Sequence, residues 1–406
     1  MALIVQKFGG TSLGNIERIQ NVASIIKETQ EKGHTVIPVV SAMAGVTNTL
    51  VKQACQFSQA VGTPAYDAII STGEQISAGM LCLALQKLGI QAQPLTGGQS
   101  GIYTNNNYSR ARIKRIDTAC IFNLLNHGVV PVITGFQGIT ESGVITTLGR
   151  GGSDTTAVGV AAAVNAAECQ IYTDIDGIYT ADPRIVPDAQ FIFKISYDQA
   201  LELTTQGARV LHARSVEYAI AHGVKIRVLS SFGGERSTIL EKGYVMEKNG
   251  ATGVTQKNSV LQLRAKLKNK GLSTLVNLLA SNDVVMDMVT LGDGKEFSCV
   301  VDNIDEVSLK DLLSQNKDLF LDASAEVSSH FGRVSLVGVG MRSDPNYFSH
   351  FIQYLEKNGV KYGDIELTEH RVSILVPQPR VEEVVSLLHQ KFFSVDSQEV
   401  AQPQEV

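Results

Sequence analysis

The residues best suited to chemistry stand where short apolar runs give way to glycine. Lys7 is followed by Phe8, Gly9, Gly10 and Ser12, and Arg150 lies within Leu148-Gly-Arg-Gly-Gly-Ser-Asp154. Ser41 and Thr47 bracket Ala-Met-Ala-Gly-Val, and Glu74 follows Gly73. Glycine keeps Cβ atoms away from whatever lies over the backbone, so amide N–H groups can approach an anion. A helix N-terminus beyond such a turn adds a favourable dipole. Lys7 brings a compact charge suited to phosphate, and Arg150 a planar fork suited to a carboxylate or phosphate. Several Gly-rich turns with Lys and Arg but no histidine point to a polyphosphate site. Phosphoryl transfer fits that inventory, because it asks mainly for positioning and charge neutralisation. Neither a GxxxxGK[ST] loop nor the protein-kinase motifs occur.

Each residue taken alone has a plainer explanation. Lys7 could be a solvated strand-end cation, Glu74 a carboxylate complementing a helix dipole, and Ser41 and Thr47 caps. Their shared position argues otherwise. Val144–Leu148 has the β-branched content of a strand, and Ser153 and Asp154 suit the N-cap of an Ala-rich helix over 155–167. Leu3–Val5 reads as a strand, Asn15–Lys32 as an amphipathic helix closed by Gly33, and Thr35–Val40 as a second strand. Further strands are expected at 91–95, 129–134, 170–173 and 225–229, with helices up to Leu88, at 114–126 and twice between 185 and 225. Residues 135–148 read as a hairpin arm. Strands alternating with helices give a largely parallel sheet covered on both faces, with ligands at the carboxyl ends of the strands. Lys7, Ser41, Thr47, Glu74, Arg150, Asp154, Thr173 and Asp174 all fall at such ends. After residue 245 a β-α-β-β-α order occurs twice, in copies of about 70 residues, which reads as a repeat of small α+β domains. The polar tail beyond Phe393 is expected to add an edge strand or to fray.

Bulk properties exclude several classes. The 406-residue chain has room for two or three domains. A net charge of −5 makes no electrostatic case for nucleic acid or an anionic membrane. No uninterrupted apolar run reaches ~18 residues, and the start of the chain reads as a strand, not a signal peptide. Five scattered cysteines without CxxC, and eight histidines without HxH or HExxH spacing, argue for reduced thiols, no thiol catalysis and no structural metal. The expected location is the cytoplasm.

The motif series narrows this further. Lys7-Phe-Gly-Gly-Thr-Ser12, Ser41-Ala-Met-Ala-Gly-Val-Thr-Asn48, Thr147-Leu-Gly-Arg-Gly-Gly-Ser-Asp154 and Tyr172-Thr-Asp-Ile-Asp-Gly-Ile-Tyr-Thr-Ala-Asp-Pro-Arg184 resemble, in order and spacing, the motifs of aspartate kinase. The resemblance covers the whole chain, and the C-terminal repeat is similar to that family's tandem ACT domains. It implies a three-layer αβα sandwich with a mostly parallel sheet (the amino-acid kinase fold) over 1–244. Two ferredoxin-like α+β ACT domains would follow over 245–326 and 327–406, the C-terminal strand completing the first of them. It implies an ATP:L-aspartate phosphotransferase working with Mg²⁺, in which Lys7 neutralises the transferring phosphate and Asp154 orients Lys7. Ser41, Thr47, Glu74, Arg150, Gly151, Gly152 and Ser153 would hold aspartate, Arg150 on the α-carboxylate and Glu74 on the ammonium. Lys7, Phe8, Gly9, Gly10 and Ser12 would line the phosphate loop, and Thr173, Asp174, Tyr179, Asp182, Pro183 and Arg184 would border the nucleotide. It implies a homodimer or dimer of dimers with an amino-acid effector at the ACT domains, and no nucleic acid or membrane partner.

Departures from the pattern bear on control. Arg209 and Ala213 replace the usual Lys and Pro. Lys268-Asn-Lys-Gly-Leu-Ser273 lacks the expected acidic Pro-Gly loop, and the strand from Val360 to Glu369 is atypical, so weak or altered feedback by lysine or threonine is expected. Val334, Leu336 and Val337 are expected to supply a dimer face. Two rival readings share the fold: a kinase of another amino acid, and a non-catalytic ACT sensor. Glu74, Arg150 and Ser41/Thr47 argue against the first, and Lys7 with Asp154 against the second.

Overall fold

The computed structural model describes residues 2–57, 61–208, 210–243, 250–268, 271–292 and 295–394. They divide into two compact units, one of residues 1–178, 191–205 and 209–245, the other of 179–190, 206–208 and 246–406.

The first unit is built on an eight-stranded sheet. Its order is Lys194–Ser196, Ser237–Glu241, Ile226–Ser230, Glu168–Thr173, Leu3–Phe8, Thr35–Val40, Val130–Thr134 and Ala92–Leu95. The strands pair in parallel except where Ser237–Glu241 runs antiparallel to Ile226–Ser230. The chain leaves the central strand Leu3–Phe8 toward one edge, then returns to build the other side from Glu168–Thr173. Such a reversal opens a crevice at the strand ends where ligands bind.

Alternation along the central strand decides what each face receives. Phe8 joins Val36, Val40, Val130, Val132 and Tyr172 in a core closed by the helices Ile16–Glu31 and Thr72–Lys87. Asn15 caps the first of these, accepting a hydrogen bond from the Arg18 amide at 2.8 Å. Gln6 points the same way and donates to Thr29 Oγ1 at 2.9 Å. Val5 and Lys7 therefore face the opposite layer, where the helices Gly152–Ala163 and Ala213–His222 lie.

Three local expectations are corrected. The first strand runs on to Phe8, so Lys7 is a strand residue and not part of the turn. The segment read as a helix from residue 114 begins with the strand Ile113–Ile116, and its helix is Ala119–Asn126. That strand edges a small four-stranded sheet with Ile102–Thr104, Gln137–Ile139 and Ile145–Thr147, the last two forming the expected hairpin. Sheet pairing there overrides local helix preference. Third, Ser153 and Asp154 are not caps: the helix begins at Gly152, with Gly151 as N-cap in the left-handed region at φ +69°.

One stretch among the described residues, Pro64–Lys87, is long and apolar enough to cross a membrane by length and composition, and half of it is buried in the protein. It is two helices meeting at Ser71, the second packing Ala78, Leu81, Cys82 and Leu85 on the sheet.

The second unit is one six-stranded sheet in the order Met286–Leu291, Glu296–Val301, Gly250–Leu267, Phe320–Val339, Arg371–Pro377, Ile365–Leu367. Its two long central strands run through both halves. The end near Leu261, Leu263 and Leu267 makes a core with the helices Gly271–Ser281 and Glu306–Ser314. The end near Val254, Val334 and Leu336 makes another with Pro345–Lys357 and Val381–Phe393. The expected boundary at 326/327 falls inside the strand Phe320–Val339. Val334, Leu336 and Val337 are fully buried within the unit, so they cannot supply an exposed dimer face.

On the other side of this sheet Arg333 is buried with a side chain 1% exposed, paired with Asp287 and 3.8 Å from Asp302. Arg371 also pairs with Asp287, at 2.8 Å, and Lys257 with Asp302. These pairs tie strands of the two halves together. Removing one member strands the others in a poorly solvated site, and that loss exceeds the net worth of the intact cluster. Arg333→Ala should therefore destabilise the second unit by about 3–5 kcal/mol, read from its denaturant midpoint by circular dichroism. A loss below about 1 kcal/mol would mean that the cluster is effectively solvated.

Candidate active site

Four loops converge at the carboxyl ends of the central strands of the first unit. The loop after Leu3–Phe8 begins with the Gly9 amide donating to the Tyr172 carbonyl at 3.1 Å. Gly10 accepts from the Ala44 amide at 3.1 Å, and a Cβ on Gly10 would lie 2.9 Å from the Ala42 carbonyl oxygen. The two loops are thus nested so closely that only glycine fits at position 10. Beneath them, the helix Thr72–Lys87 brings Gly73 against Ala42, where a Cβ would meet the Ala42 methyl at 2.7 Å. That closeness lets Glu74 Oε1 accept a hydrogen bond from the Ala42 amide at 3.0 Å.

Glu74 is 3% exposed, and among the described residues its Oε2 atom is buried without a partner. Burial pushes its carboxyl up to about 7, against the backbone hydrogen bonds that favour the anion. A buried carboxylate with one oxygen unsatisfied beside the Ala42 loop is chemically suited to a cationic partner.

Lys7, on the opposite sheet face from Phe8, reaches Asp154 in the first turn of the helix Gly152–Ala163 with Nζ to Oδ1 at 2.6 Å. Both side chains are nearly buried, at 11% and 13% exposed. A Cβ on Gly9 would lie 3.5 Å from Lys7 Nζ, so the ammonium sits directly under the glycine turn. The helix N-terminus carrying Asp154 opens with Gly151, Gly152 and Ser153, and the Gly152 amide closes the turn by donating to the Gly149 carbonyl at 2.9 Å. Arg150 is exposed at the head of this turn. Thr47 is in the first turn of the helix Val46–Ala54, and Ser41 follows the strand Thr35–Val40, its amide donating to the Phe8 carbonyl at 3.1 Å.

Lys7, Gly9, Gly10, Ser41, Thr47, Glu74, Arg150, Gly151, Gly152, Ser153, Asp154, Thr173 and Asp174 all lie in the first unit, Lys7 and Thr173 near the ends of their strands and the others on loops and helix starts. Some expected residues behave differently. Phe8 is fully buried and stacks on Tyr172 with ring centroids 4.9 Å apart, so only its backbone can contribute to a phosphate loop. Ser12 is also buried, its hydroxyl accepting from Ser231 at 2.7 Å. Thr173 donates to the neighbouring Asp174 at 2.9 Å. Tyr179, Asp182, Pro183 and Arg184 fold with the second unit, where the Arg184 guanidinium grips both Asp182 oxygens at 2.9 and 2.6 Å. Arg209 and the C-terminal tail lie outside the described residues. No group of His, Cys, Asp and Glu suited to a metal occurs among the described residues.

Three supporting residues escaped the sequence reading. Asp67, fully buried, accepts from the Thr147 amide at 2.7 Å and its hydroxyl at 3.0 Å, and likewise from Ser109 at 2.8 and 3.0 Å. Arg214 donates to the Leu148 and Ala111 carbonyls, each at 2.6 Å. His212 packs on Gly151. Asp67 carries no motif signal, because the backbone atoms it holds are far away in sequence; His212 and Arg214 lie in the segment 207–214 that resembles the family, where only the departures at Arg209 and Ala213 drew notice.

A Gly-rich anion cradle on a parallel αβα sheet, with a buried lysine beneath it, defines a phosphotransferase of the amino-acid kinase class. The family model described as the amino acid kinase family matches residues 2–230, and an ACT domain model matches residues 334–392. The chain is 40% identical to an aspartokinase of Bacillus sp. (strain MGA3) over 400 residues, covering 97% of each. Among solved structures it is similar to E. coli aspartokinase III in complex with aspartate and ADP, with a TM-score of 0.82 at 25% identity, over 97% of this chain and 100% of that one. The same enzyme in complex with lysine and aspartate matches at a TM-score of 0.75 and 26% identity, over the same shares. The chain belongs to the aspartokinase family. It is a kinase that uses ATP to phosphorylate the side-chain carboxylate of L-aspartate, forming 4-phospho-L-aspartate in amino-acid biosynthesis.

Glu74 also leaves a signature on stability. Its folded pKa, about 7, lies above the unfolded value near 4.5, so the native state binds more protons between those limits. Stability therefore falls as pH rises through that window and is constant above it. Glu74→Gln keeps the acceptor for the Ala42 amide and removes the buried charge. It should stabilise the protein by roughly 3 kcal/mol at pH 8 and hardly at all at pH 4, measured by thermal unfolding. Equal effects at both pH values would show that the carboxyl is solvated.

Proposed function

We propose that transfer runs over the Lys7–Asp154 pair, with the aspartate substrate held between Arg150 and Glu74. The observation that supports this reading is the nearly buried ion pair beneath the Gly9–Gly10 turn, a positive charge held under a glycine loop suited to a γ-phosphate. Asp154 keeps the ammonium aimed, and Lys7 neutralises charge as it develops on the phosphoryl oxygens. Amides of Gly10 and Gly151 supply further donors, while Gly9 and Gly152 hold the turns in shape through their own hydrogen bonds to the Tyr172 and Gly149 carbonyls, with Ser12 and Phe8 serving through the backbone and core. Thr173 and Asp174 border the nucleotide, and the same role for Tyr179, Asp182, Pro183 and Arg184 is supported by the resemblance of their motif. Mg²⁺ arrives as part of the substrate, on the ATP phosphates.

The fork of Arg150 takes the α-carboxylate, Glu74 takes the α-ammonium through its unpartnered oxygen, and Ser41, Thr47 and Ser153 complete the pocket. The β-carboxylate is already ionised at neutral pH, so its attack needs no general base. The test is acyl phosphate trapped with hydroxylamine, using aspartate, glutamate and N-acetylglutamate in turn. Aspartate alone should react well, and Lys7→Ala should lower kcat by ~10²–10³ with the fold intact by circular dichroism. A variant within threefold of wild type would remove Lys7 from the mechanism.

The second unit is the natural seat of regulation, in a cytoplasmic homodimer or dimer of dimers. Val289 and Leu291, 53% and 59% exposed on the edge strand Met286–Leu291, support association through that edge. Asp344 caps the helix Pro345–Lys357, accepting from the Asn346 amide at 2.9 Å, so the Met341–Asn346 loop keeps an ordered helix start for an effector. The altered Lys268–Ser273 loop, of which Asn269 and Lys270 lie outside the described residues, and the short strand Ile365–Leu367 disfavour a tight lysine or threonine site. Titrating activity against lysine, threonine and both together, at subsaturating aspartate, should show weak inhibition. Strong inhibition at millimolar effector would contradict the reading of these loops.

A further inference from the structure

The turn that carries Arg150 has no internal side chains to stiffen it, so something outside must hold it. Gly149 and Gly151 both take positive φ, at +79° and +69°. The stem is held at Thr147 by Asp67 and at Leu148 by Arg214. The tip is held by His212, the residue just before the helix Ala213–His222. A Cβ on Gly151 would lie 2.1 Å from His212 Cγ and 2.4 Å from Cβ and Cδ2, so the imidazole lies directly on the Gly151 Cα. The ring also faces charge. Asp154 and Arg150 act on it from the turn and its helix, and Arg214 and Glu217 from its own helix. Its Nδ1 is buried without a partner among the described residues.

We propose that His212 is a positioning residue for the transfer, its neutral imidazole packed on Gly151 so that Arg150 and the Lys7–Asp154 pair keep the geometry the substrate requires. The proposal rests on the reading of Arg150 and Lys7 given above. Neutrality is part of the role. Burial, with Arg150 and Arg214, holds the imidazole below the ordinary histidine range despite Asp154 and Glu217. Protonation would put a cation beside Arg150 and offer Asp154 a second partner in competition with Lys7. Acid should therefore weaken transfer itself, apart from its effect on Glu74, whose protonation weakens aspartate binding.

Two variants separate these effects. His212→Ala removes the ring from Gly151 and should raise the KM for aspartate roughly tenfold, with the KM for ATP within about twofold. His212→Asn, a neutral side chain and a good helix N-cap, should keep kcat near wild type at pH 8. It should also lose the part of the acid limb in kcat, below about pH 6.5, that wild type shows at saturating aspartate. The aspartate KM should still rise below pH 7 in this variant, because Glu74 is untouched. Thermal unfolding of both variants guards against simple misfolding. An unchanged aspartate KM in a folded His212→Ala, an equal rise for both substrates, or an unaltered kcat limb in His212→Asn would overturn the proposal. A missing KM limb in wild type would instead count against Glu74 as the ammonium partner.

Discussion

The Lys7–Asp154 ion pair is the constraint around which the catalytic unit is arranged. A lysine 9% exposed on a central strand is costly to desolvate unless a counter-charge meets it. The counter-charge comes from the first turn of a helix more than 140 residues later in the chain. For that helix to deliver Asp154 there, the chain must turn sharply into its first residues, through the left-handed Gly151 and the close-fitting Gly152. For Lys7 to point that way, Phe8 must take the other face and join the core. One charge pair thus couples strand alternation, the glycine turn and the helix start.

The same economy appears at Glu74. A carboxylate buried with one oxygen unpartnered is destabilising in the free protein, and its raised pKa records the strain. Sites that bind charged ligands commonly keep such groups, since the ligand provides the missing partner. Here Gly73 makes the arrangement possible by letting the helix approach the Ala42 loop to within contact of a methyl group. In the second unit the buried Arg333 plays a structural part. It joins strands from both halves, so that two hydrophobic cores share a single sheet.

Much of this was legible in the chain. Period-2 and period-3.6 patterns marked the strands and helices of the first unit, and the glycine motifs marked the loops that form the cleft, because backbone conformation near a positive φ leaves few residue choices. The short strand Ile113–Ile116, the edge strand Lys194–Ser196 and its neighbour Ser237–Glu241 were not legible. Strands of three to five residues have too few positions to show a period, and their existence depends on a partner. The full lengths of the two long strands of the second unit were not legible either, since each half of each strand serves a different core and the pattern changes midway.

By itself the sequence determined the class of fold, the glycine turns of the loops and the charged and hydroxyl residue types set around them. Those properties reside in residue types and short spacings, which local physics constrains. Only the tertiary structure decided that Lys7 lies in the strand and not the turn, and that the Tyr172–Arg184 motif is divided between two units. It alone brought Asp67, His212 and Arg214 to the turn at Gly149–Gly152. Their role depends on backbone atoms tens of residues away, and no spacing along the chain encodes a contact that the sheet must first assemble.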